Sequence, residues 1–241
     1  MWRHRSSWST RSSGPPRAVQ GEGPSTGTSC AFLRLGGCNL DCRWCDTPYT
    51  WDWKGLSDTG IPYRPAEELH AMDPAEVAER LLEFGVGLIV VSGGEPLNQR
   101  TRLEPVVRSL RGAGIAVEIE TNGTVAPGAT LTAAGVRFNV SPKLAHSGVA
   151  EERRIVPEVL REFTRLPGTA FKFVCATASD LEEVDALVAR HSLENIWIMP
   201  RGQSPEEIGE GIRALADEVV RRKWNLSGRL HVTIWGSKRG V

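Results

Sequence analysis

Three cysteines, Cys38, Cys42 and Cys45, stand within one short stretch of this 241-residue chain, in the pattern C-x3-C-x2-C. Three thiolates can bind three irons of a cubane iron–sulfur cluster and leave the fourth iron open to a small molecule. Structural zinc is the alternative, but zinc takes four ligands, and the fourth would have to be Cys30, Asp46 or a distant histidine. Either metal requires a fold that presents this loop on a rigid scaffold.

Composition indicates one globular domain with a sizeable core, since 40% of the residues are hydrophobic and 24% are charged. Lys+Arg and Asp+Glu both number 29, so no global basic field favours nucleic acid. The most apolar stretch, 88–91 with its flanking glycines, is too short to cross a membrane. Five cysteines, three of them clustered, fit a reducing cytoplasm. Residues 1–18 are predicted to be a disordered leader and 19–241 the single domain.

Strands and helices alternate along the chain, which predicts parallel βαβ units. A helix begins after the N-cap Asp73, and others end near Gly112, begin near Ser179 and run from Ser204 to about Trp224. The predicted strands are 29–35, 88–91, 115–119, 136–140, 171–174, 195–199 and 230–235. The expected fold class is therefore α/β, a partial (open) β/α barrel with parallel strands. Residues 48–72 are predicted to be a long loop or a variable insertion.

Glycine or polar motifs follow five of these strands. The first is the cysteine loop, and the others are 92–96 (Ser-Gly-Gly-Glu-Pro), 120–123 (Glu-Thr-Asn-Gly), 139–143 (Asn-Val-Ser-Pro-Lys) and 199–202 (Met-Pro-Arg-Gly). Taken alone, 92–96 is typical of a Gly-rich turn, 120–123 of an Asn-Gly turn and 139–143 of a loop start with a solvated lysine. Because the carboxyl ends of parallel strands share one edge of a sheet, the motifs together predict an active site around the cysteine loop.

The cysteine loop resembles the signature of the radical S-adenosylmethionine superfamily, which carries a G-G-E-P motif after a later strand. One family within it, 7-carboxy-7-deazaguanine synthase, resembles more of the chain. The runs that carry this resemblance are 20–23, 32–40, 44–47, 141–143 and 230–236. Two positions depart from the family, which often has threonine at Ser92, and some members of which have a histidine where Trp235 stands.

This resemblance implies a lyase that converts 6-carboxy-5,6,7,8-tetrahydropterin to 7-carboxy-7-deazaguanine and releases ammonia, in 7-deazapurine (queuosine-type) biosynthesis. It also implies a 4Fe-4S cluster, S-adenosylmethionine, Mg²⁺, a flavodoxin- or ferredoxin-type electron donor and a homodimer. One alternative is a glycyl-radical-enzyme activating enzyme, which shares the G-C-N-L loop but acts on a protein. A non-catalytic metal-binding module is the other.

The resemblance also implies a role for each matching residue. Cys38, Cys42 and Cys45 would bind the cluster, and Thr47 would bind Mg²⁺. The residues expected to bind S-adenosylmethionine are Trp44, Asp46, Gly94, Glu95, Glu120, Ser141, Lys143, Met199 and Gly202. Those expected to bind the pterin are Val19, Gln20, Gly21, Glu22, Arg34, Ser92 and Val241.

Simpler explanations exist for several of these residues. Gln20 and Glu22 would also suit a solvated turn, Arg34 a surface ion pair and Thr47 a helix N-cap. In the functional interpretation, Arg34 binds a carboxylate through two parallel hydrogen bonds, and Glu22 accepts from pterin N–H groups.

We predict that alanine at Cys38, Cys42 or Cys45 abolishes cluster binding, because each thiolate holds a different iron. Alanine at Cys30 or Cys175 should leave it intact, since neither matches the motif. The broad charge-transfer absorption after anaerobic reconstitution measures this. Loss of the absorption in Cys30→Ala together with its retention in Cys42→Ala would contradict the ligand assignment.

Overall fold

The computed structural model describes residues 8–9, 18–236 and 238–239. Most of the predicted leader and the terminal Val241 lie outside these residues. The strands are β1 Trp8–Ser9, β2 Ala18–Val19, β3 Ser29–Leu35, β4 Leu88–Gly93, β5 Ala116–Thr121, β6 Arg137–Val140, β7 Ala170–Cys175, β8 Ile196–Pro200 and β9 Asn225–Leu226. The helices are α1 Pro65–Glu68, α2 Pro74–Glu83, α3 Arg100–Gly112, α4 Ala129–Ala133, α5 Glu151–Arg154, α6 Pro157–Thr164, α7 Asp180–His191, α8 Pro205–Arg221 and α9 Leu230–Trp235.

The strands form one sheet in the order β1-β3-β4-β5-β6-β7-β8-β9. From β3 to β9 all neighbours are parallel, whereas β1 and β2 both pair antiparallel with β3. Within the described residues β9 does not pair back to β1, so the barrel is open. The predicted fold class is therefore confirmed, and six of the seven predicted strands match β3 to β8 closely.

Helices cover the sheet because its strands are apolar on both faces. Residues 88–91 of β4 are all buried, and the largest fully buried side chains include Phe138, Phe163, Phe171 and Phe173. The predicted start of α2 is confirmed, since the Asp73 carboxylate accepts a hydrogen bond from the Ala75 amide at 2.8 Å. Within the described residues, none of the helices is long and apolar enough to cross a membrane.

The seventh predicted strand, 230–235, is wrong, because these residues form helix α9. The two-residue strand β9 takes the last place in the sheet. Valine, threonine and isoleucine in 232–234 favour a strand, but tertiary contacts override that propensity. Arg229 and Val232 are both buried, whereas Thr233 and Ile234 are both exposed, which is the three-residue spacing of a helix.

The predicted loop at 48–72 contains a 3-10 helix, Pro48–Thr50, and the single turn α1. Asp52 holds part of it in place, since its buried carboxylate accepts hydrogen bonds from the amides of Leu56 and Ser57, each at 2.8 Å. A variable insertion at this place stays a prediction.

Two glycines join the end of β4 to the start of the cysteine loop. The Gly94 amide donates to the Leu35 carbonyl at 2.9 Å, and the Glu95 amide donates to the Gly37 carbonyl at 2.8 Å. A Cβ on Gly94 would lie 2.0 Å from the Gly37 oxygen, and one on Gly93, where φ is +137°, would lie 2.1 Å from the Leu35 oxygen. The sequence therefore needs glycine here because another part of the backbone fills the space.

We predict that Gly94→Ala destabilises the protein by about 1–3 kcal/mol or more, because the added methyl meets the backbone of Gly37 and Cys38. Gly112→Ala is the control, since a Cβ there meets nothing within 4 Å. Thermal unfolding of both variants measures the difference. Equal melting temperatures would contradict the close backbone contact.

Candidate active site

A cavity of about 1710 Å³ opens where the strands end. Sixteen of the residues that the sequence assigns to the site line it, so the structure brings together segments that are far apart in the chain. These residues are Gln20, Glu22, Arg34, Cys38, Cys42, Trp44, Cys45, Asp46, Thr47, Ser92, Gly94, Glu120, Ser141, Lys143, Met199 and Gly202.

Three other assigned residues do not line the cavity. Glu95 is fully buried, and its carboxylate accepts from the Leu97 amide (3.0 Å), the Thr121 hydroxyl (2.8 Å) and the Asn122 amide (2.7 Å). Gly21 packs against His231, and Val19 lies in β2. Val241 lies outside the described residues. The structure thus shows a structural use for Glu95, which the resemblance placed among the residues that bind S-adenosylmethionine.

The cysteine loop forms a small cluster of its own, in which Cys42 packs with Leu40 and Val149. Burial raises the pKa of the Cys38 thiol to about 12 and that of Cys42 to about 11, so iron has to displace the protons when it binds. The Cys45 sulfur accepts a hydrogen bond from the Trp51 indole at 3.2 Å, which suits a thiolate ligand.

Three thiolates in one loop are a donor set that a cubane iron–sulfur cluster can take. In the described part of the chain, no three His, Cys, Asp or Glu side chains converge closely enough to hold one metal ion.

Trp44 and Thr47 flank the last cysteine. The Trp44 ring stacks on His146, with centroids 5.2 Å apart and planes inclined by 25°. The Thr47 hydroxyl lies 3.7 Å from the Cys45 sulfur and does not cap the following 3-10 helix. The Thr47 hydroxyl therefore does not act as a helix N-cap, and Thr47 lines the cavity.

Gln20 is held by two glutamates of β5. Its amide nitrogen donates to Glu118 at 3.0 Å and to Glu120 at 3.2 Å, and its oxygen accepts from the Glu22 amide at 3.3 Å. Ser92 donates to the other Glu120 oxygen at 2.7 Å. Since both amide hydrogens are used, Gln20 offers a ligand only its remaining oxygen lone pair. Sequence reasoning missed Glu118, which is 1% exposed.

Glu22 lies between two cations that sequence reasoning also missed, Lys172 and Arg229. The Lys172 ammonium donates to one carboxylate oxygen, and the Arg229 guanidinium donates to the other at 2.9 Å. Burial alone would raise the pKa of Glu22, but these two cations hold it well below its usual value. A signal for Lys172 was present, because it is a charged residue between Phe171 and Phe173 in an apolar strand.

Arg34 also faces the cavity, but its contacts differ from those of Lys172 and Arg229. Within the described residues its half-buried guanidinium has no hydrogen-bond or ion-pair partner, and it lies 5.9 Å from the ring centre of Phe32. Burial lowers its pKa, but Tyr49, Asp46 and two glutamates more than offset that and raise it. A charged fork with free donors on a cavity wall is suited to an anionic ligand.

Comparisons with known proteins agree with this geometry. Residues 33–143 match the family described as the Radical SAM superfamily. The QueE structure from Escherichia coli has the same fold, with a TM-score of 0.69, 24% identity and coverage of 93% of this chain and 94% of that one. The fold and the cysteine loop thus define a radical S-adenosylmethionine enzyme.

Two curated relatives narrow this class. A 7-carboxy-7-deazaguanine synthase from Pyrobaculum aerophilum is 37% identical over 226 residues, which cover 92% of this chain and 93% of the relative. One from Hyperthermus butylicus is 34% identical over 226 residues, covering 90% and 89%. The chain belongs to the 7-carboxy-7-deazaguanine synthase family.

We predict that Lys172→Met lowers the free energy of unfolding by about 2 kcal/mol at pH 7, because Glu22 loses a buried charge-assisted hydrogen bond. The folded-state pKa of Glu22 is depressed, so its contribution is complete above the unfolded value of 4.5 and is lost as the pH falls below it. The gap between wild type and variant should therefore narrow at pH 3. Urea unfolding at both pH values measures this, and a gap that does not depend on pH would contradict the ion pair.

Proposed function

We propose that the protein converts 6-carboxy-5,6,7,8-tetrahydropterin to 7-carboxy-7-deazaguanine with loss of ammonia, in 7-deazapurine (queuosine-type) biosynthesis. The observation that carries the proposal is the Arg34 guanidinium, which has no hydrogen-bond or ion-pair partner among the described residues and lies in the same cavity as Gln20 and Glu22. One end of this substrate is a carboxylate, which suits Arg34. The other is a pyrimidine edge rich in N–H donors, which suits the acceptors of Gln20 and Glu22.

The cluster would be held by Cys38, Cys42 and Cys45, next to S-adenosylmethionine. When bound, these groups would supply the radical chemistry that hydrogen abstraction from the substrate requires. The residues proposed to hold S-adenosylmethionine are Trp44, Asp46, Gly94, Glu120, Ser141, Lys143, Met199 and Gly202, all of which line the cavity. Glu95 would act indirectly, because its hydrogen bonds join the ends of β4 and β5 beside these residues.

The protein's own contribution is to hold and orient the reacting molecules. Arg34 would fix the carboxylate, while Gln20 and Glu22 fix the opposite edge, so that the carbon beside the carboxylate faces the cysteine loop. Thr47 would supply a hard oxygen to Mg²⁺, and the cation would neutralise charge on the substrate carboxylate.

We further propose a cytoplasmic homodimer that receives electrons from a flavodoxin- or ferredoxin-type protein. Leu56 and Ile61, 58% and 51% exposed, give the 48–72 segment an apolar surface that a second copy could cover. A glycyl-radical-enzyme activating enzyme is less well supported, since its protein target does not need these pterin-sized contacts.

An anaerobic assay tests the function directly. The reconstituted enzyme, a reductant, S-adenosylmethionine and the carboxylated tetrahydropterin should together give a deazaguanine chromophore and ammonia. Uncoupled cleavage of S-adenosylmethionine without this product would overturn the proposal.

We predict that Arg34→Met weakens pterin binding at least tenfold, because a buried charge-assisted hydrogen bond contributes about 1.5–3 kcal/mol. Slow cleavage of S-adenosylmethionine without substrate should persist. Arg221→Met is the control, since Arg221 is exposed and pairs with Glu218 on α8. Unchanged pterin affinity in Arg34→Met would remove Arg34 from the site.

We predict that Thr47→Val raises the Mg²⁺ concentration needed for turnover, because it keeps the side-chain shape and removes the oxygen. The affinity for S-adenosylmethionine should stay near that of wild type. Thr47→Ser, which keeps the hydroxyl, should restore the original Mg²⁺ dependence. Identical Mg²⁺ titrations for all three proteins would show that Thr47 does not bind the ion.

A further inference from the structure

Residues 227–231, here called the bridging segment, are fastened to the run 20–23. The Gly23 amide donates to the Ser227 hydroxyl at 2.8 Å, and the Leu230 amide donates to the Gly21 carbonyl at 2.9 Å. A Cβ on Gly21 would lie 2.0 Å from the His231 Nδ1 atom, so glycine permits this close approach. The bridging segment and the run that contains Gln20 and Glu22 therefore form one packed unit.

Arg229, in the middle of the bridging segment, binds three different parts of the chain. Its Nε donates to Glu22 at 2.9 Å, its Nη1 donates to the Gly202 carbonyl at 2.8 Å, and its Nη2 donates to Asp46. The residue is 8% exposed. Because every nitrogen of the guanidinium already donates to the protein, Arg229 is suited to hold other residues in place and less suited to bind a ligand itself.

The three acceptors belong to the two halves of the site. Asp46 directly follows the last cysteine and Gly202 follows β8, both on the side proposed for S-adenosylmethionine. Glu22 is on the side proposed for the pterin. One buried guanidinium thus spans the two binding regions.

We propose that Arg229 is a positioning residue that couples the binding of S-adenosylmethionine to the binding of the pterin. This inference rests on the function proposed above. When S-adenosylmethionine orders Asp46 and Gly202, Arg229 is held in place and in turn orders Glu22. The second ligand then has less ordering to bring about and binds more tightly.

Arg229→Lys is the informative variant. Lysine keeps the charge, but its single ammonium cannot reach three acceptors in three directions as the planar fork does. Glu22 keeps its ion pair with Lys172 in this variant, so its carboxylate is not left without a cation. Arg222→Lys is the matched control, since Arg222 also bridges separate elements, with Asp185 at 2.8 Å and Glu218, and does not line the cavity.

Hydrogen exchange on the anaerobically reconstituted holoenzyme tests the coupling without the pterin. In wild type and Arg222→Lys, S-adenosylmethionine should slow amide exchange both at 44–47 and at 20–23. In Arg229→Lys it should slow exchange at 44–47 alone. Failure to protect 20–23 in wild type, or protection that survives in Arg229→Lys, would overturn the proposal.

Affinity measurements give the second readout. The pterin should tighten S-adenosylmethionine binding at least about fivefold in wild type, and by less than twofold in Arg229→Lys, where each ligand still binds alone. A fivefold effect that persists in Arg229→Lys would refute the role of Arg229. If wild type does not bind the pterin at all, the proposed function fails, and hydrogen exchange still decides whether Arg229 connects the two regions.

Discussion

The contact between the end of β4 and the start of the cysteine loop is the constraint on which the site depends. Gly93 and Gly94 let the two backbones touch, and Glu95 then extends the connection to the end of β5 through Thr121 and Asn122. Three consecutive strand ends are thereby fixed to one another. Since sites built on strand ends are more precise than sites on free loops, this contact sets the positions of the three cysteines relative to the rest of the cavity.

Buried charges organise the other side of the cavity. Removing Glu22, Lys172 and Arg229 from water is costly, and the cost is offset because each charge has partners of opposite sign or hydrogen-bond acceptors. Arg34 differs from Lys172 and Arg229, since it has no hydrogen-bond or ion-pair partner among the residues that the structure describes. Glu22, Lys172 and Arg229 therefore stabilise the cavity wall, whereas the donors of Arg34 are available to a ligand.

Much of the fold could be predicted from the sequence, because buried parallel strands are short and apolar and helix starts carry clear caps. Helix α9 could not, since the β-branched residues of 230–235 favour a strand, and its packing against Gly21 and β2 involves residues far away in the chain. The cysteine loop could be recognised for a different reason, because its metal chemistry depends on the spacing of the cysteines along the chain.

The charged residues that complete the site were harder to predict. Lys172 and Arg229 act on Glu22 across 150 and 207 residues, and no local pattern reports such a contact. The resemblance assigned Glu95 to S-adenosylmethionine binding, and no local pattern reported the hydrogen bonds by which its carboxylate joins the ends of two strands. Pairing between distant segments, and the direction in which a side chain points, appear only when the chain is folded.

The length of chain between Glu22 and Arg229 has a consequence for biosynthesis. Glu22 leaves the ribosome 207 residues before Arg229 does, and the helix that packs on Gly21 follows later still. Strands β3 to β8 can pair as they emerge, and Gln20 and Glu22 can then reach Glu118 and Lys172. The contacts of 20–23 with Ser227, Arg229 and Leu230 cannot form until translation is nearly finished. In a nascent chain Glu22 would therefore gain its second cation, Arg229, only near the end of synthesis, and the wall formed by 20–23 would be among the last parts of the cavity to be completed.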